Sequence, residues 1–218
     1  MSPTDLAADL QTRGCAVCDH LAARASHFFS QWQYALYTDE KTRNEYAAGP
    51  GLCPLHLWQL ESVSSPVDAA VGHAPFAERI ARALEHAATV PSDLSATERL
   101  VPQAAGCRVC RLLSEVETEY IGRLVAFVGE REGQEHYARS QGLCLRHLAR
   151  LVAALPEEQM VVAILRMAAR QFNQLAEDMR SYVLKTEALR RELYTAADHD
   201  AVLRALTHLA GSRRVCWP

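Results

Sequence analysis

The sequence Gly14-Cys15-Ala16-Val17-Cys18 returns 92 residues later as Gly106-Cys107-Arg108-Val109-Cys110. A second phrase, Gly51-Leu52-Cys53-Pro54-Leu55-His56-Leu57, returns 91 residues later as Gly142-Leu143-Cys144-Leu145-Arg146-His147-Leu148. The two offsets differ by one residue, which a single deletion between the phrases explains. We therefore expect that one structural unit has been duplicated in this chain.

Each copy supplies three thiols and one imidazole, the donor set of a four-coordinate metal site. Such donors suit zinc or an iron–sulfur cluster, whereas calcium and magnesium prefer oxygen. We predict one site in each copy. The first consists of Cys15, Cys18, Cys53 and His56, and the second of Cys107, Cys110, Cys144 and His147. The spacing also allows the copies to share ligands, with Cys15 and Cys18 joined by Cys144 and His147.

The identity of the metal has two interpretations. Four protein ligands around zinc form a closed site that stabilises a fold and leaves no position for a reacting water. A [4Fe–4S] cluster held by the same ligands would indicate electron transfer or redox sensing. The 34 and 33 residues between the motifs are typical of helices and not of the β-hairpin of small zinc fingers. We predict two Zn²⁺ ions in structural sites, with two [4Fe–4S] clusters as the alternative.

Other functions of the cysteine pairs fit less well. A thioredoxin-like dithiol belongs in a βαβ setting, which the sequence lacks. Haem attachment requires a histidine directly after the second cysteine, but Asp19 intervenes in the first copy. Disulfides would leave the repeated histidines without a role. Cys216 lies outside both motifs and is interpreted as an incidental thiol.

The chain predicts an all-α protein, an internally duplicated helical bundle with a long C-terminal helix. Ala, Leu, Arg, Glu and Gln dominate, and no alternating run of β-branched residues occurs. The long helix is expected to start at Pro156, and Gly72 and Pro75 are expected to interrupt an earlier one. The predicted organisation is a first unit at residues 1–90, a linker at 91–103 and a second unit at 104–218.

With these elements placed, the whole chain resembles an uncharacterised family of prokaryotic helical proteins. Its members carry Cys-x-x-Cys and then a Gly-x-Cys-x-x-His phrase twice, before a long helix and a short terminal one. The likeness is carried by Gly14 to Cys18, Gly51 to His56, Cys107 to Cys110 and Gly142 to His147, and more loosely by 181–183 and 206–210. The resemblance implies paired metal ligands, and it implies no activity or substrate.

Composition narrows the possible partners. The chain has 218 residues, 49% of them hydrophobic, and a net charge of −3. Nucleic-acid binders of a general kind need a basic face, so no nucleic acid is expected as a partner. No apolar run approaches the length of a membrane span, and no basic-then-apolar leader is legible. We expect a cytoplasmic protein, away from membranes, that meets another protein or a redox partner.

Catalysis is left open by the sequence. No Ser/His/Asp set, paired-carboxylate motif, phosphate-binding loop or dinucleotide fingerprint is legible, so no reaction can be named. An enzyme that uses an exchangeable, histidine-ligated iron of a cluster is the third hypothesis, beside the structural zinc module and the electron carrier.

Overall fold

The computed structural model describes residues 3–89, 95–187 and 191–211. Within these ranges the chain forms α-helices and two short 3₁₀ turns, at Ala104–Gly106 and Arg191–Leu193, and no β-strand. The helices are α1 Pro3–Asp9, α2 Ala16–Thr38, α3 Glu40–Ala48, α4 Pro54–Glu61, α5 Pro66–Thr89, α6 Ser95–Glu98, α7 Arg108–Gly129, α8 Arg131–Arg139, α9 Leu145–Ala154, α10 Glu158–Glu187 and α11 Ala196–Ala210. The prediction of an all-α chain is confirmed. Cys216 lies outside the described residues, as does part of the expected linker.

The described chain forms two compact units that each combine parts of both repeats. Unit 1 contains the segment up to Ala22 and the segment from Val116 onward, and unit 2 contains Ala23–Glu115. The division therefore falls within α2 and within α7. This division differs from the expected boundaries at residues 90 and 104, and each candidate ligand cluster, described below, likewise combines residues of both repeats.

Unit 1 is built around the long helix α10, which packs against α11. The buried guanidinium of Arg204 on α11 holds this pair together through an ion pair of 2.6 Å with Asp178 on α10. Its Nη1 donates to Oε1 of Gln141, 3.0 Å away, in the loop before α9. Thr195 caps α11, since its hydroxyl accepts from the backbone N–H of Asp198 and the Asp198 carboxylate accepts from the backbone N–H of Thr195. The C-terminal helix is thus fixed against the segment that carries Cys144.

Unit 2 has an aromatic core between α2, α3 and α5. The ring of Tyr46 stacks on Phe76 at 5.3 Å between centroids and meets Trp32 edge-on at 5.9 Å. The expected interruption at Gly72 and Pro75 is wrong, because α5 continues through both residues. A side chain at Gly72 would approach Leu36 to 3.1 Å, so glycine lets α5 pack closely on α2. This packing offsets the backbone hydrogen bond that Pro75 cannot donate.

Candidate metal centres

The eight predicted ligands gather into two clusters in which each residue offers one donor atom. Within each cluster the donor atoms all lie within 4.8 Å of one another. Site 1 contains Cys15, Cys18, Cys144 and His147, and site 2 contains Cys53, His56, Cys107 and Cys110. The prediction of two Cys3His clusters is confirmed, but the grouping within one repeat is wrong. Each site combines the Cys-x-x-Cys pair of one repeat with the Cys-x-x-His pair of the other.

The start of a helix positions every ligand pair. Cys53 and Cys144 are the residues before α4 and α9, with extended backbone at φ −61° and −66°, and neither side chain caps its helix. Their sulfurs therefore stay free for a metal, and a histidine three residues later lies on the same helix face. Pro54 begins α4, a position where its missing N–H is harmless. The Cys-x-x-Cys pairs begin α2 and α7 in the same way, since the carbonyl of Cys15 accepts from Asp19 and that of Cys107 from Arg111.

Helix starts also favour the charge state that a metal needs. The exposed N–H groups and the positive end of the helix dipole stabilise a thiolate over a thiol. The preceding glycines Gly51 and Gly142 adopt left-handed backbone, with φ of 82° and 84°. A Cβ at Gly51 would approach Phe76 to 2.7 Å, and one at Gly142 would overlap Gln171. The backbone conformation therefore requires glycine before each Cys-x-x-His pair, and at Gly51 the Phe76 ring also leaves no room for a side chain.

Site 1 is fully buried. His147 Nδ1 lies 3.3 Å from Cys15 Sγ, 3.4 Å from Cys18 Sγ and 3.2 Å from Cys144 Sγ. The sulfurs of Cys18 and Cys144 are 3.9 Å apart. None of the four residues is more than 1% exposed. All three sulfurs thus surround the same imidazole nitrogen.

Site 2 repeats this arrangement with one difference in burial. His56 Nδ1 lies 3.2 Å from Cys53 Sγ, 3.5 Å from Cys107 Sγ and 3.3 Å from Cys110 Sγ. The sulfurs of Cys53 and Cys110 are 3.8 Å apart. Cys110 is partly exposed, whereas the other three ligands are buried. Cys110 is therefore the one ligand residue of the two sites that is partly exposed to solvent.

The thiols of site 1 differ in their proton affinity while no metal is bound. Burial raises the pKa of Cys15 well above its usual range, and the neighbouring thiols add to this rise. Hydrogen bonds from Cys15 and Cys18 hold the pKa of Cys144 well below its usual range. Burial would lower the pKa of His147, but hydrogen bonds with Cys144, Cys18 and Glu117 raise it to about 11. The metal-free site thus holds protons that a metal must displace.

Site 2 shows the same division between neighbouring thiols. Burial would raise the pKa of Cys107, but hydrogen bonds with His56 and with backbone N–H groups lower it to about 6. Burial, the negative charge of Cys107 and the hydrogen bond with Cys53 raise the pKa of Cys110 to about 12. One thiolate is thus present at neutral pH, and a divalent cation would neutralise the repulsion that keeps its neighbour protonated.

The two histidines differ in what holds their outer ring nitrogen. His147 Nε2 lies 3.3 Å from the buried Glu117 carboxylate, which Arg146 and Arg150 flank at 3.5 and 3.7 Å. Burial would raise the pKa of Glu117, but His147 and the two arginines lower it. His56 Nε2 is buried with no carboxylate within 4 Å among the described residues, so the two rings differ by this ion-pair contact. Among the described residues, only the imidazole of site 1 has a carboxylate beside its outer nitrogen, the kind of partner that orients a metal-ligating histidine.

Glu117 is a candidate site residue that belongs to neither repeated motif. Aligning the repeats by their first cysteines, 92 residues apart, places Ala25 of α2 opposite Glu117 of α7. Both positions are buried. The ring of Phe29, one turn after Ala25, lies 6.3 Å from the ring of His56. The signal in the sequence was one acidic residue on a helix face that is otherwise apolar.

The end of α11 covers site 1. A Cβ at Gly211, which follows α11, would lie 3.8 Å from Cys18 Sγ and 3.9 Å from Cys144 Sγ. One turn earlier, Nδ1 of the buried His208 lies 3.3 Å from the carbonyl of Leu143. Site 1 is therefore enclosed by a helix that has no counterpart in the sequence of the first repeat.

Comparison with known proteins adds no assignment. No protein-family model matches the chain, and neither a curated protein nor a solved structure matches it. The described residues contain no helix long and apolar enough to cross a membrane. What the structure carries is a metal-binding donor set, present twice.

Proposed function

We propose that the protein binds one Zn²⁺ in each site as a structural ion and acts as an interaction or scaffold module. The observation that carries this proposal is the convergence of three sulfurs and one Nδ1 within 4.8 Å in both sites. The zinc ions fasten the starts of helices that come from distant parts of the chain.

The distances between donors support a single ion in each site. Bond lengths of about 2.3 Å to sulfur and 2.0 Å to nitrogen, at tetrahedral angles, separate two sulfurs by about 3.8 Å and sulfur from nitrogen by about 3.5 Å. The sulfurs lie 3.8 and 3.9 Å apart, and the sulfur–nitrogen distances run from 3.2 to 3.5 Å. Donors that bind the four irons of a [4Fe–4S] cluster stand on the order of 6 Å apart. The spacing thus favours zinc over the cluster alternative.

A structural role follows from the number of ligands. Four protein donors complete a tetrahedral shell, which leaves no position where a water or substrate binds. Site 1 connects residues 126 positions apart, and site 2 connects residues 57 positions apart. Zinc at such sites contributes binding free energy directly to folding, on the order of 10 kcal/mol. The ions therefore hold together segments that the helical backbone alone does not join.

Exposed apolar side chains support a protein partner. On α11 the side chains of Val202, Leu203, Leu206 and Leu209 are all more than half exposed. Trp58 on α4, two residues after a ligand of site 2, is 72% exposed. Large contiguous patches of exposed apolar side chains mark protein-binding surfaces. The proposal includes two further statements: the partner is a cytoplasmic protein, and the chain is a member of the prokaryotic helical family that it resembles.

Metal analysis tests the proposal. Protein purified without oxygen from cells supplied with both iron and zinc should contain two zinc ions per chain and no acid-labile sulfide. Cys144→Ser and Cys110→Ser should each reduce the content to about one ion, while Cys216→Ser should keep both. A brown protein with iron, sulfide and absorption near 400 nm that dithionite bleaches would overturn it in favour of the electron carrier. Less than one metal per site after zinc supply would overturn metal binding itself.

A further inference from the structure

We propose that the two centres have different tasks: site 1 retains its ion permanently, whereas site 2 is an exchangeable zinc site that opens at Cys110. The inference rests on the proposed function, that is, on one ion in each cluster. It assigns to site 2 the transfer of Zn²⁺ to a competing thiol- or imidazole-bearing acceptor. Three differences between the sites carry it.

The first difference is the support of the histidine. Both imidazoles present Nδ1 to the sulfurs, so the proton of a neutral metal-bound ring resides on Nε2. In site 1 Nε2 of His147 lies 3.3 Å from Oε1 of Glu117, an ion-pair contact of the kind that orients a metal-ligating imidazole and makes Nδ1 a stronger donor. In site 2 Nε2 of His56 is buried with no carboxylate within 4 Å among the described residues, and Ala25 occupies the position that corresponds to Glu117. Loss of such a partner typically weakens metal binding by about 10- to 100-fold.

The second difference is access to the sulfurs. Ligand exchange at a closed tetrahedral ion begins when an incoming donor replaces one of the bound ligands. All four ligands of site 1 are at most 1% exposed, so a competing donor cannot reach them while the fold is intact. Cys110 of site 2 is partly exposed and offers a point of attack.

The third difference is the cover over the ion. The residue after α11 lies beside the sulfurs of Cys18 and Cys144, and His208 and Arg204 fasten α11 to the loop that carries site 1. Exchange at site 1 therefore requires α11 to detach. Site 2 lies within Ala23–Glu115 and does not include that helix.

Competition with a chromogenic chelator on zinc-loaded, full-length protein tests the inference. We expect one ion to leave about 10- to 100-fold faster than the other. N-ethylmaleimide added during release, followed by peptide mapping, should label Cys53, Cys107 and Cys110 in the fast phase and Cys15, Cys18 and Cys144 in the slow phase. Release of both ions in one phase with parallel labelling, or earlier labelling of the site 1 cysteines, would overturn the inference. A protein that starts with fewer than two ions would contradict the proposed function instead.

Matched variants test the cause. Glu117→Ala should accelerate release from site 1 about 10- to 100-fold, whereas Glu119→Ala, on the same helix and 70% exposed, should leave it unchanged. Ala25→Glu should slow release from site 2, and Ser26→Glu, which adds the same charge at an exposed neighbour, should not. If Ala25→Glu does not fold, the phases and labelling of the unaltered protein decide the assignment. Equal release rates in Glu117→Ala and Glu119→Ala would show that the carboxylate is not the cause.

Discussion

Eliminating one metal centre by Cys144→Ser should destabilise the protein by an amount that the chain topology sets. Site 1 joins Cys18 to Cys144 across 126 positions, and site 2 joins Cys53 to Cys110 across 57. Treated as cross-links that persist in the unfolded chain, such loops restrict it by about 5 and about 4 kcal/mol respectively. The value on the order of 10 kcal/mol given above applies when unfolding releases the ion. The dependence on length is logarithmic, so a loop more than twice as long contributes only about 1 kcal/mol more. Both losses are large compared with the free energy of unfolding of a typical domain, which is about 5–15 kcal/mol.

Denaturant unfolding of the zinc-loaded proteins measures these losses. Cys144→Ser and Cys110→Ser should both unfold at a much lower denaturant concentration than the parent protein. Cys144→Ser should be slightly less stable than Cys110→Ser. Cys216→Ser should unfold like the parent, and excess chelator should remove the differences among all four proteins. The reasoning fails if Cys144→Ser loses its ion, as metal analysis would show, yet keeps the midpoint of the parent. It also fails if Cys110→Ser is the more damaging change by several kcal/mol.

Four further predictions each concern a single position. Gly142→Ala should lower the free energy of unfolding by more than about 1 kcal/mol, because its backbone is left-handed and its Cβ position is occupied. Gly122→Ala, where no atom lies within 4 Å, should leave thermal stability equal or higher. Arg204→Met should cost about 3 kcal/mol and loosen α11, since two aspartates lose their partner, and hydrogen exchange along α11 should report this. The hydrogen bond from Lys185 lowers the pKa of Asp198, so this carboxylate stabilises the fold fully above its ordinary pKa and loses that effect only as the pH falls through the lowered value. The deficit of Asp198→Asn in thermal unfolding should therefore be constant between about pH 6 and pH 8, and a deficit that grows towards acid would contradict this.

The sequence was sufficient to predict the eight candidate ligands, but not which ligand pairs meet in one site. Cysteine and histidine at repeated spacings identified all eight donors, because two ligands three residues apart at a helix start require only local structure. Which helix starts meet is a long-range property. The segments between motifs are helical, and the spacing does not record whether Cys18 approaches Cys53 or Cys144. Only the position of α9 beside the start of α2 decides this.

Two other features, the position of Glu117 beside His147 and the continuity of α5, could not be predicted from sequence patterns, each for its own reason. Glu117 follows no motif, and its role depends on α7 passing behind His147, a contact between residues 30 positions apart. The continuity of α5 through Pro75 depends on packing, since close contact of Gly72 with Leu36 holds the helix where local propensity would end it. In both cases the tertiary environment decided what the local sequence left open.

Crossed ligation has a consequence for synthesis on the ribosome. All four donors of site 2 have been synthesised once Cys110 emerges from the ribosome, whereas the donors of site 1 are complete only after His147. Cys15 and Cys18 therefore lack the other two ligands of their site through most of translation. Neither repeat can mature as an independent module, because each lends half of its donors to the other. Two separately expressed halves, divided between the repeats, should accordingly capture zinc only when mixed.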